Sequence, residues 1–197
     1  MNKGRLEAFS DGVLAIILTI MVLELKVPEA GTLTALRPLV PKILSYILSF
    51  IFVGIYWNNH HHLWQAAKNV NGSILWANLH LLFWLSLIPF VTGWMGEHFT
   101  AVPVAFYGGV LWFAGLAYYI MVRTMITHHG NDSLLAAAIG NKNKEMTSIY
   151  IYTAAIPLAF VAAWIAALLY VVVAIMWLIP DRRIETKLRT QNRERQH

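Results

Sequence analysis

The 197-residue chain is 58% hydrophobic and 13% charged, with a mean hydropathy of +0.55, and this balance excludes a water-soluble domain of its size. Its net charge of +5 does not indicate nucleic acid as a partner, because the basic residues lie at the chain ends and between apolar segments, as membrane topology requires. The absence of cysteine excludes disulfides and thiolate metal sites. The composition therefore predicts an integral membrane protein in contact with membrane lipids.

The first apolar segment, residues 5–27, is long enough to span a bilayer and carries a carboxylate, Asp11, near its start. An ionisable side chain costs at least ~2.5 kcal/mol at mid-membrane, so Asp11 is expected to face protein or water. Asp11 also interrupts the apolar core that a signal peptide would need, and no small-residue cleavage site follows. We therefore expect this helix to be retained.

One face of this helix carries an apolar stripe with a single hydroxyl group. At 100° per residue, the stripe consists of Gly12, Ile16, Thr19, Ile20 and Leu23, and Asp11 lies well away from it. Such a stripe suits the lining of a narrow pore or a contact with a symmetry-related subunit, and it also suits ordinary helix packing. Periodicity alone leaves these alternatives open.

Three further segments have the length of membrane spans, at residues 41–64, 73–95 and 102–126. Short polar turns are expected between the spans, at residues 29–38, 65–72 and 96–101. Pro89 is expected to kink the third span, and Gly108 and Gly109 indicate close packing in the fourth. The longer polar stretch at residues 128–145 is expected to be a cytoplasmic loop or a short surface helix.

The last apolar stretch, residues 146–179, would be about 50 Å long as a single helix, which exceeds a ~30 Å hydrocarbon core. Two short antiparallel helices that turn near residues 162–164 would fit, with Pro157 kinking the first. With six spans, both chain ends lie in the cytoplasm, and of the 15 Lys and Arg residues only Lys26, Arg37 and Lys42 fall outside. We predict six transmembrane helices in residues 1–180 and a basic cytoplasmic tail in residues 181–197.

The second span ends in three consecutive histidines, His60, His61 and His62. Consecutive helical side chains point 100° apart, so the three rings cannot converge on one ion, and no metal site is predicted. One histidine is expected to turn inward and to bond Asp11 or its neighbours. His60, three residues after Trp57, is the preferred choice.

A layer of side chains near the cytoplasmic ends of the first three spans is predicted to lock these helices together. Its expected members are Arg5, Phe9, Ser10, Asp11, Trp57, His60 and Asn78. Such a layer would satisfy polar groups that have no water to bond. No nucleophile elbow, phosphate loop or pair of carboxylates occurs in the sequence, so neither an enzyme nor a cofactor is expected.

The run Arg5-x-x-x-Phe9-Ser10-Asp11 on a first span resembles the signature of the transmembrane protein 175 family, the endolysosomal potassium channel family with bacterial and archaeal relatives. Several later runs resemble its prokaryotic branch. They are Trp57-x-x-His60, Leu75-Trp76-x-Asn78, Ser86-x-x-Pro89-Phe90-x-Thr92 and Ile179-Pro180-Asp181-Arg182. The resemblance implies a six-helix subunit that assembles as a homotetramer around a pore lined by the first helix.

In that family the narrowest pore position is a bulky aliphatic residue five after the motif aspartate, with a hydroxyl three further on, which correspond to Ile16 and Thr19. Ile20 and Leu23 continue the implied pore. The implied activity is a leak-type, K⁺-permeable channel of the plasma membrane with a modest preference for K⁺ over Na⁺. A proton channel or proton-coupled transporter that uses Asp11 and His60 is the alternative, although the broken-helix repeats of transporters are missing. A membrane enzyme with a histidine-bound metal is the third interpretation.

Overall fold

The computed structural model describes residues 3–28, 30–67, 69–130 and 143–178. Within these ranges all regular elements are helices, so the prediction of an all-α chain is confirmed for them. The helices α1 to α7 span Lys3–Leu23, Val40–Ala66, Gly72–Ser86, Ile88–Glu97, Ala101–His129, Asn143–Leu158 and Ala163–Leu178. A 3₁₀ helix at Leu33–Leu39 leads directly into α2.

Four helical stretches are long and apolar enough to cross a membrane. They are Lys3–Leu23, Leu33–Ala66, Gly72–Glu97 and Ala101–His129. The helices α6 and α7 have 16 residues each, fewer than the ~20 residues of a full-length span. The chain is therefore a membrane protein with four full-length candidate spans, and six crossings stay a prediction.

The helices α6 and α7 form an antiparallel hairpin, as expected from the length of the apolar stretch. Trp177 near the end of α7 donates from Nε1 to Oγ of Ser148 near the start of α6, at 2.8 Å. Further along the pair, the ring centroids of Tyr152 and Tyr170 are 6.1 Å apart. The turn occupies residues 159–162, slightly before the predicted position, because α6 ends one residue after Pro157.

Several predicted boundaries differ from the structure. The third span is interrupted at Leu87, which separates α3 from α4, and Pro89 lies in the first turn of α4, where its missing N–H costs least. The first helix ends at Leu23 instead of residue 27, and the predicted turn before α2 contains the 3₁₀ helix. The helix α5 continues to His129, and α6 already begins at Asn143.

Some of the sequence-based predictions lie outside the described residues. They include most of the polar connection, residues 131–142, and the basic tail, residues 181–197. Lys68 and Lys142, which entered the topology argument, also lie outside. The position of the C-terminus therefore stays a prediction.

The helix α5 is the central helix of the subunit and packs against α3, α4, α6 and α7. Close packing is visible at Gly108, where the buried Tyr170 hydroxyl passes over the glycine and donates to the carbonyl of Val104 at 3.1 Å. A Cβ atom on Gly108 would lie 2.7 Å from Cζ of Tyr170, whereas a Cβ atom on Gly109 would meet nothing within 4 Å. The two glycines therefore have different roles.

The helix α1 packs against α2, α3 and α4 at one side of the bundle. Only 28% of its apolar window is buried within the subunit, compared with 50% for α5. A helix this apolar and this open presents a large surface to lipid or to another protein chain.

Candidate pore helix and polar layer

The helix α1 has two distinct faces. Its buried face consists of Leu6, Ser10, Leu14, Ile17 and Met21, which recur at the three- and four-residue spacing of one helical stripe. On the opposite side Ile16 is 58% exposed and Leu23 is 80% exposed. Thr19, Ile20 and Gly12 are exposed as well. The structure therefore brings the predicted stripe together on one open face, here called the exposed stripe of α1.

Thr19 contributes the one hydroxyl group of the exposed stripe. Its Oγ1 donates to the carbonyl of Ile16 one turn earlier, at 2.9 Å. A hydroxyl that donates within its own helix keeps its oxygen lone pairs available as acceptors. These lone pairs are suited to a cation that passes along this face.

Arg5 and Phe9 do not join the polar layer to which the sequence analysis assigned them. Phe9 is 52% exposed. Arg5 is exposed, and its side chain makes no hydrogen bond or ion pair among the described residues. On a 100° helix both residues lie within ~20° of Ile16. They therefore extend the exposed stripe towards the start of α1, because the helical period, and not membership of one sequence motif, decides which face a residue occupies.

A buried polar layer connects α1, α2 and α3 and consists of Ser10, His60, Trp64 and Asn78. Trp64 Nε1 donates to Nε2 of His60 at 2.9 Å, and this Nε2 atom lies 2.8 Å from Oδ1 of Asn78. The other amide atom of Asn78 lies 3.0 Å from Oγ of Ser10. His60, Asn78 and Trp64 are almost fully buried, so these bonds take the place of the hydrogen bonds that water would otherwise make with their polar groups.

The hydrogen-bond donors around His60 determine which of its ring nitrogens carries the proton. Because an indole can only donate, Nε2 of His60 accepts, and a neutral ring then carries its proton on Nδ1. Turning the Asn78 amide so that its NH₂ group faces Nε2 pairs a donor with an acceptor at that contact. The Ser10 hydroxyl, which donates to the carbonyl of Leu6 at 2.9 Å, would then have to donate to the amide oxygen instead. Nδ1 of His60 is buried and has no hydrogen-bond partner in the part of the chain that the structure describes.

Asp11 is not bonded to His60. It accepts a hydrogen bond from Nε1 of Trp57 at 3.1 Å, and the Trp57 ring stacks on His61 with centroids 6.0 Å apart. Nδ1 of His61 in turn lies 3.3 Å from Oε1 of Glu7. The second contact between α1 and α2 is thus a half-exposed chain of side chains beside the buried layer. The single layer predicted from the sequence is therefore two separate layers in the structure.

A second buried cluster was not predicted from the sequence. The Ser49 hydroxyl is 2.6 Å from Thr92 and 3.0 Å from the Tyr107 hydroxyl, and so joins α2, α4 and α5. Thr92 also donates to the carbonyl of Ile88 at 2.6 Å. Three hydroxyl groups at similar depths in adjacent spans were the available signal, since each needs a partner inside the membrane.

The three consecutive histidines have different environments, as the 100° argument required. His60 points to Asn78, whereas His61 contacts Glu7 and Gln65 and His62 is exposed. Within the described residues, acidic and histidine side chains do not cluster in groups of three or more. The arrangement can pack helices and present an apolar surface with one hydroxyl, and it offers no ligand set for a metal.

Comparison with known proteins gives a consistent picture. A family model described as "Endosomal/lysosomal potassium channel TMEM175" matches residues 5–89. A potassium channel of Chryseobacterium sp. (strain P1-3) is 58% identical over 96% of this chain and 99% of its own length. A human protein named "Endosomal/lysosomal proton channel TMEM175" is 40% identical over 45% of this chain, which covers 20% of the human protein.

Among solved structures, the crystal structure of a lysosomal potassium-selective channel TMEM175 homolog from Chamaesiphon minutus matches with a TM-score of 0.77. It is 28% identical and covers 90% of this chain and 96% of its own chain. The shared family is one of channels and not of enzymes. Full-length similarity to the Chryseobacterium channel, together with the matching fold, shows that this chain belongs to the TMEM175 channel family.

Proposed function

We propose that the chain is one subunit of a homotetrameric, potassium-permeable channel in the plasma membrane, and that the exposed stripe of α1 lines the pore. The observation that carries the proposal is the exposure of Ile16, Thr19, Ile20 and Leu23 on one apolar face of the least buried membrane-length helix. The bacterial relatives that match most of this chain are named potassium channels, which supports the same function.

Four copies of Ile16 around an axis would form the constriction. Their side chains would leave an aperture smaller than a hydrated ion and would offer no oxygen to replace lost water, so the barrier is one of size and desolvation. The Thr19 oxygens, one turn further along, would supply acceptors next to that barrier. Because the stripe holds no carbonyl cage or ring of carboxylates, the preference for K⁺ over Na⁺ is modest.

The proposal includes the predicted topology. Six crossings, with the hairpin α6–α7 supplying two short ones, place both termini in the cytoplasm by the positive-inside rule. The hairpin's length of 16 residues per helix then requires that neighbouring helices cover its turn. Tags placed before Met1 and after His197 are both expected to report the cytoplasm.

The test is K⁺ flux from liposomes that contain the purified chain. Ile16→Ala and Ile16→Asn are expected to raise flux, and the Asn variant also changes selectivity because it brings oxygens to the ion. Thr19→Val is expected to weaken the preference for K⁺, since valine keeps the shape and removes the hydroxyl. Val22→Ala is the matched control, because Val22 is exposed on α1 but lies off the stripe.

Unchanged flux in all three stripe variants, with the tetramer intact by mass measurement in detergent, would place the pore on another helix. A monomer in that mass measurement would also contradict the proposal, because a single subunit has no central pore.

Proton permeation is the second candidate function. It is favoured by the name of the human relative, a proton channel, and by the buried Nδ1 atom of His60, which has no partner in the described part of the chain. Acidification of liposomes under a potassium diffusion potential would measure it. Loss of proton flux in His60→Gln with K⁺ flux retained would support a proton path through His60, and unchanged proton flux would exclude it.

A further inference from the structure

A carboxylate lies at the end of the exposed stripe of α1. Glu24 directly follows Leu23, the last residue of the helix, and its backbone N–H still donates to the carbonyl of Ile20 at 3.3 Å. Glu24 therefore keeps the helical register, which places it one turn after Ile20 and about 40° further round the helix. The rise of the helix places it about 12 Å beyond Ile16.

The side chain of Glu24 is exposed and makes no hydrogen bond or ion pair among the described residues. By contrast, Glu7 and Asp11 on the same helix contact side chains of α2. Lys26 makes no ion pair with Glu24 and lies within electrostatic range of Glu97. Within the described part of the chain, no cation is therefore bonded to the Glu24 carboxylate.

The two ends of the exposed stripe differ in charge. Arg5 lies on the same face about 16 Å before Ile16, and its side chain is exposed as well. The stripe residues between Arg5 and Glu24 are uncharged. A pore lined by this face would therefore have a negative mouth beyond Leu23 and a positive mouth at the start of α1.

An acidic mouth attracts cations. In the proposed tetramer, on which this inference rests, four copies of Glu24 surround one end of the pore. Their carboxylates raise the local concentration of cations, most strongly where salt does not screen them. They attract K⁺ and Na⁺ alike, so a modest preference between these ions is unaffected. We propose that Glu24 concentrates K⁺ at this mouth and thereby increases the K⁺ current that enters from its side.

The test is single-channel recording of the full chain in a planar bilayer of neutral lipid, with equal KCl on both sides. The Debye length falls from roughly 20 Å at about 20 mM KCl to about 3 Å at 1 M, so the Glu24 charge acts at the lower concentration and is screened at the higher. Glu24→Gln keeps the shape of an exposed side chain and removes its charge.

At the lower concentration, Glu24→Gln is expected to reduce the K⁺ current that enters from the Glu24 mouth about threefold or more. The current in the opposite direction should stay within about 1.5-fold of the wild-type value, because those ions enter at the other mouth. At 1 M KCl both currents should equal those of the wild-type channel. A purely structural role of Glu24 would change both currents at both concentrations.

Glu24→Cys identifies the mouth and restores the charge. The chain has no cysteine of its own, so an impermeant anionic thiosulfonate added to one chamber places a negative charge only on channels whose Glu24 mouth faces that chamber. This treatment should restore the current that enters from the treated side. A cationic thiosulfonate should lower the same current further.

Glu97→Gln is the matched control. It removes a carboxylate that pairs with Lys42 at 2.7 Å, at the end of the bundle where α2 begins and α1 ends, but not on the exposed stripe. The change in net charge equals that of Glu24→Gln. Both currents are expected to stay within about 1.5-fold of the wild-type values at low salt.

Equal currents in Glu24→Gln and the wild-type channel at low salt would overturn the proposal. A loss of the same size at 1 M KCl, an equal loss in Glu97→Gln, or no recovery of the Glu24→Cys current with the anionic reagent would overturn it too. If Ile16→Ala still raises flux, only the role of Glu24 fails and the pore stays on α1. A wild-type chain without K⁺ current would overturn the proposed function as well.

Discussion

Gly108→Ala is expected to destabilise the subunit, although alanine is the better helix former. The new Cβ atom would overlap the Tyr170 hydroxyl and lie 2.7 Å from Cζ and 3.1 Å from Cε1 of that ring. Tyr170 is fully buried, so its ring cannot swing into solvent. The ring must therefore shift, which strains the contact between α5 and α7 and also breaks the 3.1 Å bond from the hydroxyl to the carbonyl of Val104.

The expected change in the free energy of unfolding is the sum of three contributions. Overpacking costs about 1–3 kcal/mol, and an unpaired buried hydroxyl costs about 1–3 kcal/mol. The higher helix propensity of alanine offsets about 1 kcal/mol of this. The free energy of unfolding should therefore fall by about 1–5 kcal/mol, and both ends of this range are a loss of stability.

The assay is denaturant-induced unfolding in mixed micelles, with Gly109→Ala as the neighbouring control. A Cβ atom at Gly109 meets nothing within 4 Å, so that variant should be neutral or more stable by up to about 1 kcal/mol. Tyr170→Phe in the Gly108→Ala background should restore part of the loss, because it removes the overlapping oxygen but leaves the ring. Equal stability of the two alanine variants would refute the packing argument.

Two further changes probe the polar contacts. Asn78→Leu should lower the free energy of unfolding by about 1–3 kcal/mol, because it removes two buried hydrogen bonds, one to Ser10 and one to His60. A loss well below about 1 kcal/mol in the same micelle assay would mean that water replaces the amide. Lys42→Met removes a half-exposed ion pair with Glu97 and should change the unfolding free energy by less than about 1 kcal/mol, so a larger loss would show that this end of α2 and α4 is shielded from solvent.

The helical class and most of the spans could be predicted from the sequence, because apolar length and charge placement act on each segment separately. Breaks inside a span were harder to place. Pro89 marks the region of the break between α3 and α4, but the interruption falls at Leu87, where the packing of two short helices decides the position. The turn between α6 and α7 was misplaced slightly for the same reason.

The exposed stripe of α1 was predictable from helical periodicity, since the period fixes which residues share a face. The partners of the polar side chains were not, because they depend on the rotation of α2 and α3 against α1. Asp11 pairs with Trp57 and not with His60. The neighbouring residues Ser10 and Asp11 therefore take part in two separate contacts.

The measurement that tests the central claim most directly is cysteine accessibility along α1 during K⁺ flux. The chain has no cysteine of its own, so Ile16→Cys, Thr19→Cys and Ile17→Cys each introduce a single reactive thiol. A cationic thiosulfonate reagent should reduce K⁺ flux through the Ile16→Cys and Thr19→Cys channels and leave Ile17→Cys unaffected, because Ile17 is 3% exposed and faces the bundle. Block through Ile17→Cys, with no effect at the two stripe positions, would contradict a pore lined by the exposed face of α1.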